Sequence, residues 1–367
     1  MLDPVTARIQ PRSQTMAQPN SAQMAAFLSL GLALIGDPAI AHEPWLLTPD
    51  EVLSLSQATV PDLFRSPILL IGFACLAATA IFAMVLAGQI LRPWEDRICK
   101  PLQKCSADWG TLCLRIGLGT TVGLNALGGL PRHGTEMWST PTLFVPDMQL
   151  ALIPGWDWLA LPALISSVFL VLGLGTRFAA FGILCLVALG SLLFSLDFIA
   201  YYGFHFAAPA LLLLHFGDGS LSVDYYLPPG FPALLPNAPG LVWCLVQVTM
   251  GGTFATIAIL VKFLQPTLLI AILEHGNMWF FGLPLPFVAL IMMAIELVAG
   301  VLLALGQLIR PIAVFLLFAF TFFAVSLAES PLLHGNLYGV FLFFLLHGGA
   351  PVDLLRRPHR LGAPQTV

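Results

Sequence analysis

The chain has 367 residues, of which 58% are hydrophobic and only 9% are charged, against about 25% charged residues in an ordinary soluble domain. Its formal net charge is −4, and the sequence contains no basic stripe. These figures exclude a soluble enzyme, a disordered chain and a fibrous protein, and they argue against a nucleic-acid partner. Long, unbroken apolar runs instead indicate an all-α integral membrane protein, whose first partner is the lipid bilayer.

The N-terminal region has the features of a secretory signal peptide. Residues 1–23 are polar and include two arginines, and residues 24–35 form an apolar stretch that is too short to span a bilayer comfortably. The tripeptide Ala-Ile-Ala at 39–41 then matches the small-x-small form of a signal-peptidase site. We predict a signal peptide at residues 1–41 and an external segment at residues 42–65. An uncleaved anchor is the alternative.

Nine apolar runs predict about nine transmembrane helices. The first span lies within residues 66–91, and two sets of four follow it. The spans of the first set are predicted at 112–129, 158–174, 178–196 and 205–214, and those of the second at 241–264, 286–305, 312–328 and 337–346. Short polar turns join the spans within each set, as expected for antiparallel neighbours in a helix bundle.

The distribution of Lys and Arg predicts the orientation, because these residues concentrate on the cytoplasmic side of membrane proteins. The basic residues that define this side are Arg92, Arg97, Lys100, Lys104, Arg177, Arg310, Arg356, Arg357 and Arg360. Nine helices that start outside place all of them in the cytoplasm. We therefore predict a multi-pass protein of the bacterial cytoplasmic (inner) membrane, with a basic loop at 92–110 and the C-terminal tail at 356–367 both inside.

The two sets of spans resemble each other, which indicates an internal repeat. The matched residues are Gly173 with Gly306, Arg177 with Arg310, His215 with His347 and Asp224 with Asp353. The chain therefore divides into repeat 1 (111–227), a Pro-rich linker (228–240) and repeat 2 (241–355). Both repeats begin in the cytoplasm, so they are predicted to be parallel and related by an axis along the membrane normal. Chance similarity between apolar segments is the alternative.

A family pattern is present in the second repeat. Its residues are Lys262 and Pro266 at the end of one helix, and Glu296, Gly300, Gly306 and Arg310 in and after the next. This combination resembles the DoxX/DoxD-like superfamily over residues 110–355. The first repeat is degenerate, since Ala163 replaces the glutamate and Ser167 the glycine. It does hold Arg115 in its first helix, as family members often do, where the second repeat has Val248.

The resemblance implies a redox-associated membrane protein. Members of this superfamily are small four-helix membrane proteins, and several serve quinone-linked redox systems, among them a thiosulfate:quinone oxidoreductase subunit and a methylamine-utilisation maturation protein. It suggests a quinone as the cofactor and a periplasmic redox protein as the partner, and it leaves open whether the chain is itself an enzyme. A non-enzymatic scaffold or maturation factor for an exported partner is one alternative. A small-molecule or ion transporter is another, although the sequence shows no evident broken helix.

Glu296 is the most informative residue, because it lies near the middle of a predicted span. A carboxylate there is costly unless it is paired, protonated or facing a cavity. A neutral acid could donate to a quinone or pass a proton, so Glu296 and Lys262 are our candidate catalytic residues. The alternative is a packing residue bonded to Lys262 or Gln247. Lys262 either snorkels to the interface or, if Pro266 only kinks its helix, lies deeper and pairs with Glu296.

Further residues are candidates for binding a cofactor. They are Gln247, Trp279, Arg310 and Arg177. The aromatic residues near the outer loops indicate first an interfacial belt and second a wall on which a quinone could stack. No Gly-rich phosphate loop, nucleophile elbow or HExxH motif is present, so hydrolysis and ATP-driven transport have no support.

Histidines supply the candidate metal ligands. Those predicted on the outer side are His42, His133, His205, His275 and His334, and we take four of them, His42, His133, His275 and His334, as candidates. Histidines and carboxylates on outer loops could bind a metal or relay protons, and His42 could chelate copper with a free amine after cleavage. No pair has a dedicated ligand spacing, so scattered interfacial histidines are the alternative. The repeat-related His215 and His347 could hold a haem or cap their helices.

Overall fold

The computed structural model describes residues 49–128, 140–146, 148–194, 198–226, 239–276, 280–327 and 330–349. Over these residues the chain is helical, and the sole strand-like feature there is an isolated antiparallel bridge between Thr142 and Gln149. The predicted signal peptide and the C-terminal tail lie outside the described residues.

The helices follow the predicted order. Before the first set come α1 (Pro49–Ser56), α2 (Asp62–Arg65), α3 (Pro67–Ile98) and α4 (Lys100–Cys105). The first set comprises α5 (Thr111–Leu127), α6 (Ala160–Leu172), α7 (Thr176–Leu193) and α8 (Phe204–Phe216), and the second comprises α9 (Pro239–Thr256), α10 (Pro266–His275), α11 (Leu285–Ala304), α12 (Ile309–Ser326) and α13 (Gly335–His347). Segment 92–110, predicted as a basic loop, is almost entirely helical, because its Lys, Arg, Gln and Leu residues are good helix formers.

Within the described residues, five helices are long and apolar enough to cross a membrane. They are Pro67–Ile98, Thr176–Leu193, Gly240–Phe263, Leu285–Ala304 and Ile309–Ser326. Helices α6, α8 and α13 have 13 residues each, fewer than the ~20 that span a bilayer without adjustment. The prediction of an all-helical membrane protein is confirmed to this extent, whereas the count of nine spans is not confirmed.

Small residues bring the first two long helices of each set together. In the first set, Ser167 Oγ donates to the Gly119 carbonyl oxygen on the facing helix at 2.7 Å. In the second set, a Cβ atom at Gly300 would lie 2.7 Å from the Gly251 carbonyl oxygen. Small side chains let helix backbones approach in this way. The last helix of each set packs on the first helix of the other, α8 on α9 and α13 on α5, so both sets share one core.

The turns that hold the two arginines are built alike. Gly173 and Gly306 end α6 and α11 with left-handed φ values of 67° and 66°. Arg310 then donates to the carbonyl oxygens of Leu345 and His347, both at 3.0 Å. We call this end of the bundle the arginine end. The likeness of the turns agrees with a repeat, and superposition of whole sets stays a prediction.

The first helix of the second set is broken. Helix α9 continues as a π-helical segment, Ile257–Phe263, and ends at Leu264. Gln265 leaves helical geometry with φ −127° and ψ 61°, and Pro266 starts the separate helix α10. The expectation that no helix is broken was therefore wrong. Proline disfavours helical geometry in the residue before it, and this preference ends the helix here rather than kinking it.

Helix α3 attaches to the second set. Its apolar surface is largely exposed, and Val85 and Gly88 are its buried residues. Gly88 lies against the turn between α11 and α12, where a Cβ atom would be 3.2 Å from Leu308 Cγ. Glu95 Oε1 accepts a hydrogen bond from Arg310 Nη1 at 2.8 Å. This ion pair ties the end of α3 to the arginine end.

Candidate functional site

A cavity of about 210 Å³ lies at the opposite end of the bundle from the arginines, and we call this the cavity end. Its walls come from both sets: the start of α8, the π-helical end of α9, and helices α10, α11 and α12. The short turn before α13 closes it. Most of the lining is apolar, and the polar side chains in it are Tyr202, His205, Lys262, Glu296, His334 and Asn336.

Lys262 and Glu296 form an ion pair at one side of this cavity. Lys262 Nζ lies 2.6 Å from Glu296 Oε2, and the two side chains are 25% and 16% exposed. The predicted contact between these residues is therefore present, and Lys262 reaches inward rather than snorkelling. Lys262 lies on a π-helical segment, a rare form of helix that is frequent at functional sites.

The second polar group is supplied by His205 and Asn336. His205, at the start of α8, is buried. Asn336 Nδ2 donates to the His205 carbonyl oxygen at 3.2 Å, and the Asn336 N–H donates to Thr121 Oγ1 at 3.0 Å. Thr121 in turn donates to the Leu332 carbonyl oxygen at 3.0 Å. These bonds fix the turn that carries His334 against the first set.

Aromatic rings line the space between the two polar groups. The His205 ring lies 5.4 Å from Phe254, and the His334 ring lies 5.7 Å from Phe320. Phe254 and Phe320 are themselves 6.2 Å apart. Such a wall suits a flat, apolar ligand, because tilted and offset aromatic contacts are favourable at these separations.

Helices α1, α2 and α10 form a cap layer over the cavity end. Leu269 and Leu273 of α10 line the cavity and share a cluster with Phe64 of α2. The Phe64 ring also meets Phe263, beside Lys262, at 6.2 Å. Thr267 Oγ1 donates to the Leu55 carbonyl oxygen of α1 at 3.0 Å. The described part of the segment predicted as external thus packs in the cap layer through a few side chains, including Val52 and Phe64.

The candidate cofactor residues do not gather at this cavity. Gln247 lies toward the arginine end, where its Nε2 would be 2.9 Å from a Cβ atom at Gly349. Arg310 is engaged by Glu95 and the end of α13, and Arg177 lies against Gly217. Of the two partners offered for Glu296, the structure shows Lys262 and not Gln247, and a cofactor role for Gln247, Arg177 and Arg310 stays a prediction. Trp279 lies outside the described residues.

The candidate metal ligands are also dispersed. His334 lines the cavity, whereas His275 ends α10 without lining it. Within the described part of the chain, no group of three His, Cys, Asp or Glu side chains could hold a metal ion. His42 and His133 lie outside the described residues.

The two repeat-related histidines share an aromatic cluster. His215 and His347 both lie against Phe216, at 4.9 and 5.3 Å, and His347 also meets Trp243 at 4.6 Å. Each sits in the last turn of its helix, which agrees with the capping alternative. The haem alternative stays untested.

Sequence reasoning missed two residues of the site. Asn336 was not among the candidate residues. His205 was grouped with the other outer histidines but was not taken as a candidate metal ligand. A polar residue opening the last apolar span of each set was the available clue. Comparisons with protein-family models, with curated proteins and with solved structures found no match.

Proposed function

We propose that this chain is a DoxX-like membrane subunit or accessory of a quinone-linked respiratory or periplasmic redox system. The cavity end would face outward from the bacterial cytoplasmic membrane, and the C-terminus would lie in the cytoplasm. The observation that carries the proposal is the Lys262–Glu296 ion pair, held 2.6 Å apart in an otherwise apolar and aromatic cavity.

The cavity suits the head group of a quinone in size and chemistry. Its volume of about 210 Å³ is below the roughly 300–1,000 Å³ of pockets for drug-sized ligands, and so favours a small head group of one or two rings. The ammonium group of Lys262 has three donors, of which Glu296 uses one. Quinone carbonyl oxygens accept hydrogen bonds, so a second donor of Lys262 can orient one of them.

The two charged residues would then act at one end of the ring. A quinone takes up two electrons and two protons on reduction, and a periplasmic redox protein is the partner class that could supply the electrons. Lys262 would hold the carbonyl oxygen by a charge-assisted hydrogen bond. Glu296, ionised in the pair, would first take up a proton from water at its partly exposed edge and then pass it to the same oxygen as a general acid, and the second proton would come from solvent. The aromatic walls would exclude water from the rest of the ring.

The decisive experiment is purification of the full chain from native membranes, followed by an absorbance spectrum and analysis of extracted quinones. Titration with a short-chain ubiquinone and with menadione, read by tryptophan fluorescence, then measures binding directly. We expect saturable binding of a quinone. If the purified protein contains no co-extracted quinone and shows no saturable binding of added quinone, the proposal is refuted.

A matched pair of variants separates a functional from a structural role of the acid. Glu296→Gln keeps the shape of the side chain and removes its charge. It should leave folding near normal, retain quinone binding and abolish turnover with the partner. Glu274→Gln, on the exposed end of α10, should change none of these. A Glu296→Gln protein that is less stable but fully active would assign Glu296 to packing.

Transport is a second candidate, and the break in α9 favours it. Discontinuous helices beside a polar site near the membrane midplane are common in transporters, and α9 ends at Leu264, next to the ion pair. Proton or solute uptake into proteoliposomes that depends on Glu296, without bound quinone, would support this function. Co-purification with an exported protein, without quinone or uptake, would instead support a scaffold or maturation factor.

A further inference from the structure

The cavity has a second polar end, which is contributed by the first set. His205 is 6% exposed and lines the cavity from α8, with its ring against Phe254. Lys262 follows Phe254 by about 12 Å along the helix. The imidazole and the ion pair therefore lie toward different ends of the cavity, with the apolar side chains of Ile257 and Val261 on the wall between them.

The imidazole has an unmet bonding capacity. His205 Nε2 is buried and has no hydrogen-bond partner among the described residues. Asn336 does not supply one, because its amide donates to the His205 backbone carbonyl oxygen. Buried polar side-chain atoms nearly always have a partner in folded proteins. An oxygen atom of a ligand in this cavity would provide it.

We infer that His205 Nε2 donates a hydrogen bond to the far carbonyl oxygen of a para-quinone whose near carbonyl oxygen accepts from Lys262. The inference rests on the proposed function and narrows its ligand class. A para-quinone carries its two acceptors on opposite edges of one ring and can meet both donors. An ortho-quinone carries them side by side and can meet one end alone. The neutral imidazole has a single N–H, which this arrangement places on Nε2.

The first test compares isomeric probes on the full-length protein. Wild type should bind a 1,4-naphthoquinone more tightly than the 1,2 isomer. His205→Phe, which keeps a flat ring without the donor, should weaken the 1,4 isomer about tenfold, the value of one hydrogen bond, and leave the 1,2 isomer nearly unchanged. His205→Gln, which restores an N–H donor, should recover part of the loss. His215→Phe, a histidine outside the cavity, should bind as wild type does.

The second test takes its main result from the wild-type protein, so it does not depend on a variant that might misfold. Infrared difference spectra of wild type with a 1,4-quinone labelled with ¹³C at one carbonyl and then at the other should show both carbonyl bands lowered relative to the quinone in an aprotic solvent. Relative to wild type, the band of the far carbonyl should shift in His205→Gln, and the band of the near carbonyl should shift in Lys262→Met.

The outcomes distinguish the two claims. If no quinone binds wild type, the proposed function and this inference fall together. If a quinone binds but one carbonyl band stays at its free position, or if His205→Phe binds both isomers as wild type does, the quinone site stands and the role of His205 is overturned.

Discussion

In the first set, α6 and α7 pack closely, whereas α11 and α12 of the second set make few contacts beyond the turn that joins them. A Cβ atom at Gly182 of α7 would lie 3.0 Å from Ser166 Oγ of α6. Aligned through Arg177 and Arg310, the residue that matches Gly182 is Phe315, which needs space that a glycine does not. The cavity lies where this second pair separates.

The chemical difference follows the packing difference. Ala163 of the first set is 1% exposed in a closed interface, and the matching Glu296 borders the cavity with its partner Lys262. A closely packed helix pair has no room for a solvated or paired carboxylate, but a separated pair does. One copy of the architecture thus supplies rigid packing, and the other supplies a polar site.

The largest expected effect comes from placing the acid in the wrong set. Ala163→Glu buries a carboxylate without a lysine partner, at a cost of at least about 2.5–3.5 kcal/mol on insertion scales. Ala163→Gln adds nearly the same volume without the charge, so it separates the effect of the added volume from the effect of the buried charge. Thermal unfolding in detergent and expression yield should fall much further for the glutamate variant. Equal stability of the two variants would contradict the comparison.

The next effect concerns the backbone contact in the second set. A Cβ atom at Gly251 would clash with the backbone of Gly300 and Ala304, whereas one at the neighbouring Gly252 meets nothing within 4 Å. Gly251→Ala should therefore lower stability by about 1–3 kcal/mol through overpacking. Gly252→Ala is the adjacent control and should stay within about 0.5 kcal/mol of wild type. Similar melting temperatures for both would show that α9 and α11 do not meet as described.

Breaking the ion pair should have an intermediate effect. Lys262→Met leaves Glu296 without its partner, and we expect a loss of about 1–2 kcal/mol, since both side chains are partly exposed. The double variant with Glu296→Met removes both charges and should regain most of that stability. A double-mutant cycle of thermal unfolding measures the coupling. Additive losses would mean that the two groups do not interact.

The smallest effect is expected at the arginine end of the first set. The side-chain hydroxyl of Ser220 donates a hydrogen bond to the Asp108 carboxylate, and the Ser220 N–H donates a second one to Asp108 Oδ1 at 3.0 Å; both lower the pKa of Asp108. A carboxylate with a lowered pKa stabilises the fold above its unfolded pKa of about 3.9, and this contribution is lost as the pH falls through the folded pKa. Asp108→Asn should flatten the decline in melting temperature below about pH 4. If the melting temperature of Asp108→Asn depends on pH as it does in wild type, Asp108 does not contribute to the pH dependence of stability.

The all-helical architecture and the Lys262–Glu296 contact could be predicted from the sequence, because each follows from a local rule. Long apolar runs favour helices in a bilayer, and a carboxylate in hydrocarbon needs a partner. The predicted end of the span at residue 264 agrees with the structure, but the separate helix α10 that begins at Pro266 was missed because apolar residues continue on both sides of the break. Composition does not reveal where the next helix begins.

The other half of the cavity depends on contacts between distant segments. His205 and Asn336 meet across 131 residues of sequence, and neither belongs to a motif. The candidates Gln247, Arg177 and Arg310 were chosen by residue type, although the Lys and Arg distribution had already placed the two arginines on the side opposite the outer histidines. Depth separates the arginine end from the cavity end, so it decides which polar residues share a site.

The ion pair between Glu95 and Arg310 has a consequence for how the protein is made. Its two residues are separated by 215 positions, so at about 5–20 residues per second roughly ten to forty seconds of translation pass before the arginine follows the glutamate out of the ribosome. Helix α3 is therefore made well before the helices on which it docks, and its apolar and largely exposed surface suits contact with lipid in that interval. Docking onto the later helices then becomes a late step of biogenesis, after the second set has been inserted.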